Sequence, residues 1–315
     1  MKKLIALSSV SFMLVTGLFA QQGPVKEKLD LGEIKGNVSI GFQQYQEDSL
    51  IGAVVPDEKS SLNAFTNILY TRKTFSAGIR YESYMPAQLG YPDRFDGTGL
   101  GYRFASYNTD EVTVTVGNFY EQFGNGLTFR SYEERLLGID NAMDGLRVKA
   151  HLLPGIYLTG IYGKQRFQFT DGLVNGSGLV RGFDAELVVN ELLDSLTGLS
   201  PDSLPTRKLN LILGASFVSK YQKDDSPTLI MPENVGTYAG RARLDYGKFS
   251  FNGEYAYKIN DPSTDNGFVY KPGQAALVNF TFATKGFSVA VDAKTTDNFS
   301  YRSNRTAKCP FGKKR

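Results

Sequence analysis

The chain has 315 residues, of which 35 are Lys or Arg and 32 are Asp or Glu, with a single cysteine and a single histidine. Lys2, Lys3 and the basic residues after Tyr301 more than account for the formal charge of +3, so the remainder is mildly acidic and carries no footprint of a nucleic-acid-binding protein. The lone Cys309 and lone His151 exclude an internal disulfide framework, a cysteine-rich metal site and clustered histidine ligation, and no cofactor is expected.

At the N-terminus, Lys2 and Lys3 precede an apolar run from Leu4 to Phe19 that ends at Ala20, with Gln21 and Gln22 following. This pattern predicts a secretory signal peptide over 1–20. Ser8, Ser9, Ser11, Thr16 and Gly17 interrupt the run too often for a membrane-spanning helix, and no later stretch supplies about 20 apolar residues. Membrane residence is therefore expected only through strands, with 21–33 as a periplasmic N-terminal segment.

From Ile34 onward the chain alternates with a period of two. Phe75, Ala77, Ile79 and Tyr81 oppose Ser76, Gly78, Arg80 and Glu82; Leu146, Val148 and Ala150 oppose Arg147, Lys149 and His151; Phe249, Phe251 and Tyr255 oppose Ser250, Asn252 and Glu254. One apolar and one polar face per segment suits a wall between lipid and water. Strands are predicted at 34–45, 61–71, 75–85, 98–107, 111–119, 144–152, 156–169, 178–189, 207–220, 235–245, 249–259, 274–283 and 287–297. Short links mostly alternate with longer loops at 46–60, 86–97, 120–143, 170–177, 221–234 and 260–273, the asymmetry of periplasmic turns and external loops. The link 190–206 breaks this order: parity makes it a periplasmic turn, yet it is long and contains Pro201 and Pro205.

The expected fold class is therefore all-β, an antiparallel transmembrane β-barrel occupying 34–301 in the bacterial outer membrane, with outer-membrane lipid and the barrel-assembly machinery as partners. A soluble secreted all-β binding protein, with one wet sheet face, is the alternative that the same alternation allows. An odd strand number would leave the chain end outside the cell, whereas bacterial single-chain barrels have even numbers. Residues 302–315 read as a basic non-barrel tail, so the barrel is expected to be incomplete at its C-terminus, or one strand has gone uncounted.

The densest motif is Phe119-Tyr120-Glu121-Gln122-Phe123-Gly124-Asn125-Gly126-Leu127, continuing through Arg130-Ser131-Tyr132-Glu133-Glu134-Arg135 to Leu137-Gly138-Ile139-Asp140-Asn141. It resembles the segment F-Y-E-Q-F-G-x-G-L, R-x-Y-E-[DE]-R, L-G-I-D-N of a family of Bacteroidota outer-membrane β-barrels of unknown function. The resemblance implies location and architecture, not an activity. Read physically, the longest loop gathers Glu121, Arg130, Glu133, Glu134, Arg135 and Asp140, with Asp144 just beyond. Folded into a lumen, these opposed charges would form a constriction that filters solutes by size and charge. Left outside, they would only order a solvated loop.

Two functions compete for a non-enzymatic barrel. A passive pore would use Arg80, Glu82, Arg147, Lys149, Arg241, Arg243, Glu254, Asp292 and Lys294 as lumen groups. A scaffold or transport component would fill its lumen with these charges paired and hold envelope protein partners by its loops. A barrel hydrolase is a third reading, with His151 as its base, but Leu152-Leu153-Pro154-Gly155 follows it and no nucleophilic serine motif is adjacent. Gly97-Thr98-Gly99-Leu100-Gly101 lacks the strand-to-helix context of a dinucleotide fingerprint and reads as a flexible loop entering a strand. Because Ala20 ends the apolar run, exported protein is expected to begin at Gln21; N-terminal sequencing that finds an intact Met1 in the envelope fraction would overturn this.

Overall fold

A computed structural model describes residues 12–14, 30–52, 55–198, 209–226, 228–300 and 305. The alternating segments form thirteen long strands: β1 (Glu33–Gln44), β2 (Ser60–Arg72), β3 (Phe75–Tyr84), β4 (Phe95–Asn108), β5 (Val112–Phe119), β6 (Met143–Leu153), β7 (Ile156–Thr170), β8 (Leu173–Val188), β9 (Leu209–Tyr221), β10 (Asn234–Tyr246), β11 (Phe249–Lys258), β12 (Gly273–Thr284) and β13 (Phe287–Asp297). They follow one another in sequence order within one antiparallel sheet, the up-and-down order of the barrel class. Among the described residues no helix is long and apolar enough to cross a membrane.

The short links set this order, because a link of about two residues can only return the chain antiparallel. Lys73-Thr74, Pro154-Gly155, Gly247-Lys248 and Lys285-Gly286 each place one residue at positive φ, as tight hairpins require. Registers are regular through long runs, with Leu209 opposite Tyr246 and Tyr221 opposite Asn234 between β9 and β10, for example.

Several expected links are corrected. The segment 170–177 is not a loop: β7 and β8 run on to a turn of Asp171 (φ 51°) and Gly172 (φ 140°). β4 begins at Phe95 and shortens the 86–97 loop, so the run Gly97 to Gly101 lies inside a strand. The long link after β8 opens with a helix, α1 (Val189–Thr197), stopped by Gly198 in the left-handed conformation. The 120–143 loop carries its own short ladders, Glu121–Gln122 against Arg130–Ser131 and Glu133–Glu134 against Ile139–Asp140, with a single 3-10 turn at Arg135–Leu137. Phe12–Leu14, within the stretch read as a signal peptide, pairs antiparallel with Val38–Ile40 of β1. Most of the 302–315 tail, with Pro201 and Pro205, lies outside the described residues.

The chain divides into two compact units. One holds β1–β4, Glu133–Asp140 and Arg166–Asn175; its apolar centre is Phe65, Tyr84, Phe95 and Phe169. The other holds Thr109–Tyr132, Asn141–Gln165 and the chain from Gly176; its centre is Phe119, Phe123, Phe129, Met143, Ile161, Val180 and Val218.

In both units the usual burial rule is inverted along the strands. Ile79 is 46% exposed and Phe251 39%, and Ile68, Val116, Leu146, Phe183, Leu213, Tyr255 and Val278 are exposed as well, while β13 is exposed on both faces. Glu82, Glu254, Lys220 and Lys258 are buried. A soluble sheet with one wet face would hide the first set and show the second. Arginine at Ile79 or Phe251 is therefore expected to abolish heat-modifiable, folded protein in membranes, since a lipid-facing midplane Arg costs about 2–4 kcal/mol, while Ser76→Arg or Thr113→Arg is tolerated. Equal loss in both sets, read by semi-native electrophoresis, would return the chain to the soluble reading.

Candidate functional site

The polar faces of the strands carry ion pairs, and the long loop between β5 and β6 lies against them. In the first unit, Arg80 on β3 donates from Nε to Glu82 Oε1 at 2.6 Å, from Nη1 to Glu133 Oε2 at 3.0 Å and from Nη2 to Asp140 Oδ2 at 2.6 Å. Arg166 on β7 donates from Nη2 to Glu82 Oε2 at 2.7 Å and from Nη1 to Asp140 Oδ2 at 2.7 Å. Glu82 also accepts from the Tyr84 hydroxyl at 3.0 Å. Asp140 thus bridges guanidinium groups of two different strands and fastens the 133–140 half of the loop to both.

Aromatic rings close the site against water. Arg166 lies 5.1 Å from the Phe95 ring centre and 5.3 Å from that of Phe169; Arg80 lies 5.1 Å from Tyr102, and Arg135 lies 4.2 Å from Phe65 while donating to Glu133 at 2.7 Å. Burial pushes the Tyr91 hydroxyl above its ordinary pKa beside this cluster. A Cβ at position 101 would fall 2.1 Å from the Glu82 carboxyl carbon, so Gly101 is glycine because the Glu82 carboxylate occupies that space. Gly101 therefore makes room for the ion pairs, while Gly97 and Gly99 lie against Asp171, and the run is not a flexible loop.

In the second unit the 120–132 half of the loop is seated differently. Phe123 and Phe129 pack against each other with ring centres 5.4 Å apart and sit with Ile161, Val180 and Val218 of β7, β8 and β9. Asn125 then donates to Glu254 Oε2 of β11 from its backbone N at 2.6 Å and its Nδ2 at 2.8 Å, and accepts from Asn252 Nδ2 at 2.9 Å. At the loop's base Glu121 meets Lys149 at 2.7 Å and Arg147 at 3.4 Å. Behind it, Arg241 on β10 binds Asp184 at 2.7 Å and Glu186 at 3.0 Å on β8.

Not every expected site residue joins these groups. Glu134 is exposed and caps the 3-10 turn by accepting from the Leu136 backbone N at 3.3 Å; Arg130 is exposed and lies 4.1 Å over the Tyr132 ring. Asp144 stands on β6 in register with Asn118 and Lys164. Arg243 pairs with Asp245 at 3.0 Å but stays exposed. Asp292, bonded by Asn279, and Lys294 are exposed on β13. His151 stacks on Tyr157 with ring centres 4.4 Å apart, at the wall of a cavity of about 290 Å³ that Asp110, Glu111, Asp184 and Glu186 also line.

Sequence reasoning missed Arg166, Asp184, Asn125 and a buried cluster in which Lys220 donates to Asp261 at 3.1 Å while Lys258 and Arg305 stand 3.9 and 3.7 Å from the same carboxylate. Asp184 and Lys220 had a signal, because both lie on the polar phase of their strands. Arg166 had none: the buried positions of β7 are Ile161, Gly163, Arg166 and Phe169, so the two-residue period is lost there. Arg305 belongs to the tail read as non-barrel, yet it is buried and donates to the Pro232 carbonyl. Arg166→Met is expected to cost about 3–5 kcal/mol, the cost of stranding a buried partner, and adding Glu82→Gln should cost less than the sum of the single changes. Urea unfolding of refolded protein measures both, and additive losses would mean that the two residues are not coupled.

Solved structures similar to this chain include OccAB4 of Acinetobacter baumannii, at 9% identity over 87% of this chain and 78% of that one with a TM-score of 0.36. The outer membrane channel DcaP of Acinetobacter baumannii matches at 11% identity over 84% and 80% with a TM-score of 0.37, and a BenF-like porin from Pseudomonas fluorescens at 9% over 85% and 93% with 0.31. No curated protein matches the chain in sequence. A family model matches residues 1–312, and the chain belongs to that family, the family of unknown function DUF6029.

Proposed function

We propose that this chain is an outer-membrane β-barrel channel, a passive pore whose 120–142 loop narrows the aqueous path. The observation that carries the reading is the inverted burial. Most strands turn apolar side chains outward while Arg80, Glu82, Arg166, Lys220 and Glu254 are withdrawn from the surface, and the longest loop binds the charged side. Apolar strand faces at the surface suit lipid, and a face with ion pairs and an open cavity suits water.

A loop tied to β3, β7 and β11 by side-chain hydrogen bonds holds fixed charges close to whatever solute passes, where screening is weakest. The scaffold reading has its own support, since Arg80, Glu82, Arg166 and Asp140, and likewise Arg241 with Asp184, are paired and buried as a filled interior requires. Conductance separates the two. Refolded protein in a planar bilayer is expected to give stepwise single-channel currents, and deleting 122–131 is expected to raise the step size. A folded protein that never conducts would leave the scaffold in place of the pore.

A further inference from the structure

We infer that Glu254 is the positioning residue of a reversible gate, holding the loop tip 123–129 against β11 while the 133–140 half of the same loop stays fixed. The inference rests on the channel reading for its consequence but on separate observations for its geometry. The two halves of the loop are fastened by different chemistry. In the 133–140 half the carboxylates of Glu133 and Asp140 each meet arginine nitrogens, and the arginines in turn meet Glu82. Opposed charges compensate one another there, and breaking any contact strands a buried ion.

At the tip the compensation is only indirect: Arg241 stands opposite Glu254 in register, and its Cδ borders Gly124, but its nitrogens bond Asp184 and Glu186 instead. Glu254 is 3% exposed, forms no salt bridge among the described residues, and has Oε1 buried without a hydrogen-bond partner. Its other oxygen, Oε2, takes both hydrogen bonds from Asn125. The approach is so close that a Cβ at position 124, where φ is +51°, would lie 2.7 Å from Oε2, and Gly124 is what permits it.

Closing the tip thus gives a carboxylate two good donors and takes water from its second oxygen. Opening returns that water. The two effects oppose each other, so the clasp is the half of the loop that can let go. Phe123 and Phe129, packed on Ile161, Val180 and Val218, return the tip to its seat after each opening.

The test uses full-length protein refolded in detergent, with Glu254→Ala, Glu254→Gln and Asn125→Ala; the last removes an Asn125 donor and its acceptor without touching the wall. Amide hydrogen exchange over 123–129 is expected to quicken on the order of tenfold in Glu254→Ala, and to a lesser degree in Asn125→Ala, with 133–140 unchanged. Glu254→Gln, which keeps one acceptor and loses the charge that no salt bridge holds, should exchange as slowly as the native chain. In bilayers Glu254→Ala should dwell in a larger conductance level and Glu254→Gln in the native one. Unchanged exchange at the tip in Glu254→Ala and Asn125→Ala, or equal quickening at 133–140, would overturn the gate. A native chain that does not conduct would overturn the channel reading alone, with exchange still deciding the clasp.

Discussion

Everything in this molecule follows from putting charge on the hidden side of the strands. Glu82, Lys220, Glu254 and Lys258 are withdrawn from the surface while Ile79, Phe251 and their like stay on it, so the sheet cannot be stabilised by hiding its apolar face. Stability must come from the backbone ladder, from the small apolar centre of each unit, from apolar contact outside the chain and from satisfying the hidden charges. The ladder is supplied by sequential antiparallel strands on short turns. The hidden charges need partners, and the partners come from neighbouring strands and from the 120–142 loop.

That need explains why the loop is folded down. Asp140 brings a carboxylate to Arg80 and Arg166, which also share Glu82, and Glu133 adds another to Arg80. Such buried pairs contribute little net stability against an apolar substitute, because desolvation offsets most of their attraction, but they fix one arrangement against others. The loop's position is therefore specified by charge matching more than by packing in its 133–140 half. In the 120–132 half the balance is reversed: the aromatic pair Phe123 and Phe129 provides the seat, and a single carboxylate orients the tip.

The same logic accounts for the glycines of the two motifs that stand out in the sequence. Gly101 and Gly124 each lie against a buried carboxylate, Glu82 and Glu254 respectively. A dinucleotide site would place such glycines at a strand-to-helix turn around a phosphate. Here one lies within β4 and the other in a loop tip, and both make room for the protein's own charge.

Strand identity was written in the sequence, because a two-residue alternation is a local property that survives whatever the strand later packs against. All thirteen segments form, and most of their faces carry the expected polarity, the exceptions being β7, which loses its period at Arg166, and β13, exposed on both faces. Where neighbours decide, the sequence was silent. The turn at Asp171-Gly172 and the early start of β4 depend on cross-strand pairing, including the parallel pairing of Phe95 with Phe169, that no single segment announces. The loop's charges were legible as a group, but nothing local separates a loop folded onto the wall from a solvated one, since the same residues serve both. Arg80 and Arg166 decide it by standing opposite Asp140, and Glu254 by standing opposite Asn125. Those partners are 60, 26 and 129 positions apart in the chain, and only the tertiary fold brings them within hydrogen-bond reach.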